Sequence, residues 1–236
     1  MKIYAAAKLN LCLDILKKDT NGYHEIRTVL YEYKGLKNEI EIEEPQYSRN
    51  TAIPQCPAGK AYTLLKNRYN PTKNLSIKIT RNIPPGSGLG GESSNAAAIL
   101  KALNQIWNLK LSTEQLQQCA AEIGMDVPFF IEGGTAIGTH YGEIIEPLPH
   151  QELPIEVIIK SIPGDDKTAN AYANLDLQKC GQQAQKTDAL INAIKINNFQ
   201  AIAHYIHNDF ETLTAVPKGY HLSGSGPSIF ACEGQA

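Results

Sequence analysis

The sequence predicts an α+β fold rather than a doubly wound sheet. Three observations carry this. Short segments with an apolar residue at every second position are interspersed with segments of helical spacing, and the two kinds do not alternate regularly. The 236 residues are 42% hydrophobic and 19% charged, so the chain can bury a core in one large domain or two small ones. Neither an internal repeat nor a low-complexity segment interrupts it.

The first element is a strand, in which Leu9, Leu11, Leu13 and Ile15 alternate with Lys8, Asn10, Cys12 and Asp14. A period of two puts Lys8 and Asn10 together on the face away from the leucines. Asp19-Thr20-Asn21-Gly22 reads as a turn. Ile40 and Ile42 alternate with acidic residues in a solvent-facing strand. Residues 57–69 read as a helix, and Leu75, Ile77 and Ile79 alternate with Ser76, Lys78 and Thr80 as a further strand.

That strand runs into Pro84-Pro85 and a loop, Gly86 to Gly91, with a helix directly after it: Ala96, Ile99, Leu100, Leu103, Ile106 and Trp107 keep helical spacing. Ser112 and Gln115 have capping-box spacing for the next helix, and Gly124 is placed to end it. Asp126-Val127-Pro128 is then a loop, followed by an expected strand from Phe129 to Thr139. The turn-prone segment Pro147 to Pro154 is the expected domain boundary, giving domains of residues 1–148 and 149–236. Beyond it a strand is expected near Ile155 to Ile159. A helical stretch follows over 187–213, with Phe199, Ile202, Ala203, Ile206 and Phe210 in one stripe, then a strand pair around Ser223-Gly224-Ser225-Gly226-Pro227.

Lys and Arg number 22 against 24 Asp and Glu, and no basic run occurs, which argues against a nucleic-acid partner. Apolar stretches such as Ala96 to Leu100 are far short of the ~20 residues of a membrane span. Lys8 and Asn10 break the leading apolar stretch, so no signal peptide is expected. Cys12, Cys56, Cys119, Cys180 and Cys232 are scattered and form no C-x-x-C, against a disulfide framework or a zinc site; a reducing cytoplasm is the compartment expected. His204 and His207, three apart on the late helix, lack a third ligand and read as a partly exposed pair, so no metal ligand is assigned.

Pro84 to Ser94 reads PPGSGLGGESS. Glycines let backbone N–H groups close on a ligand, and the following helix turns its positive end into the same space. A lone G-x-G would be read as an ordinary turn; four glycines among Gly86 to Gly91, between strand and helix, favour a phosphate. Gly86, Gly88 and Gly91 satisfy G-x-G-x-x-G, but Leu109-Lys110-Leu111 stands where a dinucleotide site wants an acid. Gly86 and Gly91 have Walker A spacing, but Glu92 stands where the lysine belongs. Positive potential must therefore come from backbone amides, Mg²⁺ or a lysine elsewhere. Glu92 is expected beside Mg²⁺ or turned to solvent, since a bare carboxylate repels a triphosphate.

Pro84 to Ala98, PPGSGLGGESSNAAA, resembles the nucleotide-binding motif of the GHMP kinases. Leu222 to Ala231, LSGSGPSIFA, resembles their C-terminal glycine motif, and Ala7 to Leu13, AKLNLCL, their N-terminal motif. Asn21-Gly22-Tyr23-His24-Glu25, Gly124-Met125-Asp126-Val127-Pro128-Phe129-Phe130 and Lys167-Thr168-Ala169-Asn170-Ala171-Tyr172 resemble the members that act on 4-diphosphocytidyl-2-C-methyl-D-erythritol. The six segments keep the family's order.

The resemblance implies phosphoryl transfer from ATP, with Mg²⁺, to the 2-hydroxyl of that cytidine-diphosphate-linked methylerythritol, in the non-mevalonate route to isoprenoids. It implies a two-domain architecture whose second domain is ferredoxin-like, and here shortened at its C-terminus. Partners are then these small molecules, with no nucleic acid and no membrane, and the protein a monomer or homodimer. Singly, a strand lysine is usually solvated, a loop Asp usually caps a turn, and a Tyr or His usually packs. The motif matches reverse those readings. They imply Lys8 and Asp126 as the catalytic pair, and Pro84, Pro85, Gly86, Ser87, Gly88, Leu89, Gly90, Gly91, Glu92, Ser93 and Ser94 as the ATP loop. Asn10, Tyr23, His24, Thr168 and Tyr172 are implied as substrate contacts. Another alcohol, mevalonate or homoserine, is the alternative acceptor. A nucleotide-binding regulator and, more distantly, a dinucleotide-dependent oxidoreductase are the alternatives outside that chemistry.

Overall fold

The computed structural model describes residues 1–45, 53–162 and 167–232. The elements in order are β1 (Lys2–Lys18), β2 (His24–Glu43), α1 (Pro57–Tyr69), β3 (Ser76–Thr80), α2 (Gly91–Ile106), α3 (Thr113–Ala121) and α4 (Phe129–Glu132). Then come β4 (Thr135–Thr139), β5 (Ile144–Leu148), β6 (Ile155–Ile158), α5 (Lys167–Ala173), α6 (Ala184–Lys195), α7 (Phe199–Tyr205), β7 (His207–Asn208), β8 (His221–Leu222) and β9 (Ile229–Cys232). Helix and sheet are mixed, as the patterning predicts. Among the described residues no helix is long and apolar enough to cross a membrane.

The chain forms two compact units that interleave in sequence. The first comprises Met1–Ala7, Tyr33–Ile83 and Gly90–Glu132; the second comprises Lys8–Glu32, Pro84–Leu89 and Gly133–Ala236. The boundary expected at 148/149 falls inside the second unit, because β1, β2 and the glycine loop each contribute to both.

In the first unit, the end of β2 pairs antiparallel with β3, in register from Glu39↔Thr80 to Glu43↔Ser76. Ile40, Ile42 and Ile77 are buried while Glu39, Glu41 and Glu43 stay accessible, the half-buried alternation read from sequence. α1 packs on α2, where Ala58, Gly59 and Ala61 on one and Ala96 and Ala97 on the other are small and buried. The capping box forms on α3: Gln115 N donates to Ser112 Oγ at 3.3 Å, and Ser112 N to Gln115 Oε1 at 2.9 Å.

Two expected elements are corrected. The strand over 129–139 begins instead as the short helix α4, and β4 starts only at Thr135. Phe129, Phe130 and Ile131 are all buried, and a short uninterrupted apolar run does not distinguish helix from strand by its period. Gly133 and Gly134, at φ 75° and 71°, end the helix before the strand begins. The helical stretch over 187–213 is in fact α6, α7, β7 and a 3-10 turn over 209–212. Asn197 takes φ 58°, a conformation that Asn tolerates. Asn198 then caps α7 by accepting from Ala201 N at 3.1 Å. His204 and His207 consequently share no helix face: His204 is exposed on α7 and His207 is buried on β7.

In the second unit the sheet order is β5-β4-β2-β1-β7, with β7 parallel to β1 and β4 antiparallel to β2. A separate antiparallel sheet runs β6-β9-β8. β1 departs from simple amphipathicity: Leu9, Leu11 and Ile15 are buried, and so are Lys8, Asn10 and Asp14 on the other face. Asp14 accepts from the Thr187 hydroxyl, and its Oδ1 lies 3.0 Å from His207 Nε2. The other nitrogen of His207 faces the Tyr205 carbonyl at 2.9 Å. These bonds hold Asp14, Thr187 and His207 in one buried polar cluster.

Removing one member of a buried polar cluster leaves the others without a partner, at a cost of about 1–3 kcal/mol. Asp14→Ala is expected to lower stability by at least that amount in urea unfolding, and an unchanged transition would show that the cluster does not hold β7 and α6 to β1.

Candidate active site

Three stretches far apart in sequence meet in the second unit: β1 at Lys8, the glycine loop at Ser87 to Leu89, and the turn Ser223 to Ser228. Lys8 N donates to Leu89 O at 2.9 Å, and Ser228 N to Ser87 O at 3.2 Å. The buried Ser223 hydroxyl stands 3.1 Å from Gly88 O and 3.3 Å from Lys8 O. Gly88 has φ +83°, and a Cβ there would lie 2.3 Å from Ser223 O and 2.7 Å from Gly226 O. Only a residue without a side chain allows the two backbones this approach. Asn208 braces the turn from below, donating to Leu222 O at 2.9 Å and Gly224 O at 2.8 Å.

Lys8 is not a solvated strand lysine. Its residue is only 4% exposed, and its ammonium donates to Asn10 Oδ1 at 2.5 Å. Asn10 Nδ2 donates in turn to Thr28 Oγ1 at 2.8 Å, and Thr28 to Cys12 O at 2.6 Å. The chain of bonds fixes the Asn10 amide orientation and holds Lys8 Nζ beside Gly224, 3.2 Å from where a Cβ would stand. Burial pushes the Cys12 thiol up to about 12, so it stays protonated and is no nucleophile.

Pro84, Pro85, Gly86, Ser87, Gly88 and Leu89 belong to the second unit; Gly90, Gly91, Glu92, Ser93 and Ser94 belong to the first. In the first unit Gly90 is the N-cap of α2, and no side chain caps that end. Asn38 holds the approach to it, accepting from Asn82 N and Ile83 N, both at 2.8 Å, and donating to Asn95 Oδ1 at 3.0 Å. Glu92 has a partner that the sequence did not indicate. Its Oε1 takes the Arg81 Nε proton at 2.7 Å, so a cation from the chain itself neutralises it. Its Oε2 is buried without a hydrogen-bond partner among the described residues.

Arg81 also lies beside the Cys56 thiol, which is at the mouth of a cleft of about 960 Å³ along α1. Ile53, Pro54, Thr63 and Leu64 line it, with Lys60 and Arg68 as its charged residues. Asp126 belongs to the first unit, half-buried in the turn between α3 and α4 that Val127 N closes on Gly124 O at 3.1 Å.

The aromatic residues expected to read a base are partly brought together. His24 stacks on Tyr172 with centroids 4.7 Å apart and an interplanar angle of 21°, and Tyr172 meets Phe210 edge-on. Burial, then the charge of Lys18, lowers the His24 pKa, so its ring is neutral at neutral pH, with one donor and one acceptor. Tyr23 packs instead on Tyr141, at 5.0 Å, and stays half exposed. Thr168 Oγ1 is 3.4 Å from Ser225 Oγ.

Sequence reasoning missed four residues. Asn208, Arg81 and Thr28 carry no motif, being ordinary residues whose side chains are aimed by the fold. Lys167 lies inside a segment whose resemblance was plain, but only its contact with the 225–226 backbone and side chains gives it a site.

Residues 57–134 match the family described as GHMP kinases N terminal domain. The chain is 36% identical over 256 residues to the 4-diphosphocytidyl-2-C-methyl-D-erythritol kinase of Geobacillus kaustophilus, covering 98% of this chain and 87% of that protein. It is 34% identical over 258 residues to the enzyme of the same name from Caldicellulosiruptor bescii, covering 99% and 90%. A crystal structure of 4-(cytidine 5'-diphospho)-2C-methyl-D-erythritol kinase superposes with a TM-score of 0.77 at 25% identity, covering 98% of this chain and 90% of that one. A homoserine kinase from Cytophaga hutchinsonii shares the fold, with a TM-score of 0.70 at 18% identity and coverage of 98% and 84%.

The contact of Gly88 with the 223–226 turn makes a graded expectation. Gly22 has φ +89° with nothing within 4 Å of a Cβ, so Gly22→Ala should cost only the left-handed penalty of about 1–2 kcal/mol. Gly88→Ala carries the same penalty and a clash with two carbonyls, and should lose clearly more stability in parallel denaturation curves. Equal losses would mean that the approach of loop and turn is loose.

Proposed function

The chain belongs to the 4-diphosphocytidyl-2-C-methyl-D-erythritol kinase family, within the GHMP kinases, and on that premise we propose how its residues transfer a phosphoryl group from ATP to the 2-hydroxyl of that alcohol. The observation that carries the reading is the meeting of Lys8, the Gly88 backbone and the Ser223–Ser228 turn, because all three come from motifs the family uses for phosphoryl transfer. The antiparallel β6-β9-β8 sheet supports a ferredoxin-like reading of the C-terminal part.

Phosphoryl transfer asks the protein for position and charge rather than covalent chemistry. The segment Gly86 to Ser94 offers backbone amides and the uncapped N-terminus of the 16-residue α2 to the ATP phosphates. Lys8 supplies a cation that Asn10 has already oriented, so no reorganisation is needed as charge develops. Asp126 accepts the proton of the attacking hydroxyl. His24 and Tyr172, with Tyr23, contact the cytosine, and Asn10 and Thr168 the rest of the substrate. The cleft beside Cys56 takes the base of ATP, being joined through Arg81 to the first turn of α2.

Among the described residues no three His, Cys, Asp or Glu side chains group to hold a metal by themselves. Kinases usually hold Mg²⁺ mainly on phosphate oxygens with one or two carboxylates. The unpartnered Glu92 Oε2 is the oxygen that would hold it. When bound, the ion neutralises charge on the β- and γ-phosphates.

A coupled ADP-release assay offering diphosphocytidyl-methylerythritol, mevalonate and homoserine side by side tests the reading. Turnover is expected with the first alone, and preference for either of the others would overturn it. In the same assay Asp126→Asn should lower kcat by about 10²–10⁴ with both substrates still binding. Lys8→Ala should cost at least as much, and the double variant little more than the worse single one, because both act on one event. Losses that multiply would separate their roles.

The two base sites give opposite signatures. Tyr172→Ala removes a stacking surface, about 1–3 kcal/mol, and should raise KM for the cytidine substrate while leaving that for ATP nearly unchanged. Thr63→Trp, which fills the cleft along α1, should do the reverse. If either substitution moved both constants alike, the separate sites would not stand.

A further inference from the structure

Lys167 opens α5 and reaches the C-terminal glycine turn, donating to Gly226 O with Ser225 Oγ at 3.3 Å. Two residues earlier in the same turn, at Gly224, stands the Lys8 ammonium. Two cations therefore flank residues 224 to 226 within one unit. The groups that face Lys167 are the Lys8 ammonium from β1, and from the turn the uncharged Ser225 hydroxyl and Gly226 carbonyl. Among the described residues no carboxylate pairs with it; Asp165 and Asp166 lie outside them.

This placement is costly for a lysine as it stands. A half-buried ammonium loses hydration, and a second ammonium nearby repels it; burial first, then Lys8, lower its pKa to about 8. A neutral carbonyl and a hydroxyl do not offset a like charge. A doubly or triply charged oxyanion lodged at the turn does so for Lys167. The other lysine at the turn, beside Gly224, is already oriented by Asn10.

We propose that Lys167 is a second cationic phosphate-binding residue of the site, which takes oxygens of a bound polyphosphate together with Lys8. The proposal rests on the kinase reading for the identity of the anion. Both substrates of that reaction carry a polyphosphate, so the shared chemistry is a phosphoric anhydride, and its source is either the nucleotide donor or the cytidine diphosphate of the acceptor.

The test is calorimetric binding of ADP and of CDP to the whole protein at pH 7 and pH 9, with wild type, Lys167→Met and Lys167→Arg. In the wild type one of the two ligands should bind roughly tenfold more weakly at pH 9, because Lys167 has lost its proton there, and binding should take up a proton near pH 8. The ligand that responds identifies the source. Lys167→Met should weaken that ligand at pH 7 to a similar degree and abolish the pH difference. Lys167→Arg, which stays charged at both values, should restore binding and also remove the pH difference. The proposal is overturned if Lys167→Met keeps wild-type affinity and pH dependence for both ligands. It is equally overturned if that variant unfolds at lower temperature, weakens both ligands alike at both pH values, and is not rescued by arginine, since that is the signature of a tether for the turn. Wild-type ADP release with the cytidine acceptor is measured alongside. Its absence would remove the kinase reading while leaving the anion-binding result to stand or fall separately.

Discussion

A central strand buried on both faces, with a lysine, an asparagine and an aspartate on one of them, obliges its surroundings to supply polar partners. β1 is that strand, and the second unit is arranged around the obligation. Asp14 draws His207 and Thr187 from β7 and α6 into a buried hydrogen-bonded cluster. Asn10 draws Thr28 from β2. At Lys8 the protein supplies Asn10, and the C-terminal turn is laid against it. Buried ionic groups contribute little net stability against an apolar alternative, but removing one partner is expensive. The strand's polar face therefore resists piecemeal change, and the position of Lys8 inherits that resistance.

The second requirement is close backbone approach. Gly88 lies against two carbonyls of the 223–226 turn, and Ser223 and Ser228 use their own polar groups to tie turn, loop and strand together. The residues of the turn are more than a hundred positions from the loop, so the contact closes the chain upon itself. Glycine at Gly88 is thus a packing requirement of the fold, since the backbone approach there admits no side chain.

Much of this was legible in the sequence, for identifiable reasons. The period of two in β1 put Lys8 and Asn10 on one face, and they are indeed bonded to one another. The capping box at Ser112 and Gln115 is local chemistry, and local chemistry transfers directly from sequence to structure. What failed was local ambiguity settled by distant or backbone effects. Phe129 to Ile131 has no period to read, and only the left-handed Gly133-Gly134 pair separates α4 from β4. The helical reading of residues 187–213 ran across Asn198, which begins a new helix rather than extending the old one. Glu92 was read against an absent lysine, whereas its partner Arg81 sits eleven residues earlier, visible only once the chain has turned back. The burial of the face opposite the leucines of β1 was not legible from the period of two, because periodicity reports parity along a strand and not what covers it.

Charge is also distributed unevenly in the second unit. Its buried ammonium, Lys8, and the half-buried Lys167 both lie at the glycine turn, while a second half-buried ammonium, Lys186, bonds Ile206 O elsewhere. The ring at the other recognition element, His24 against Tyr172, is held neutral by burial and by Lys18. A neutral imidazole beside a tyrosine suits the uncharged edge of a pyrimidine, which a cation there would not discriminate from any anion. Paired lysines suit the anhydride, whose charge is the same whichever base it carries. In the proposed reading, specificity and charge stabilisation are therefore assigned to different residues: the aromatic pair selects the molecule, and the lysines act on whatever phosphate the selection delivers. That separation explains why the lysines need not be selective, and it locates the choice among alcohols in His24 and Tyr172 rather than in the glycine motifs the wider family shares.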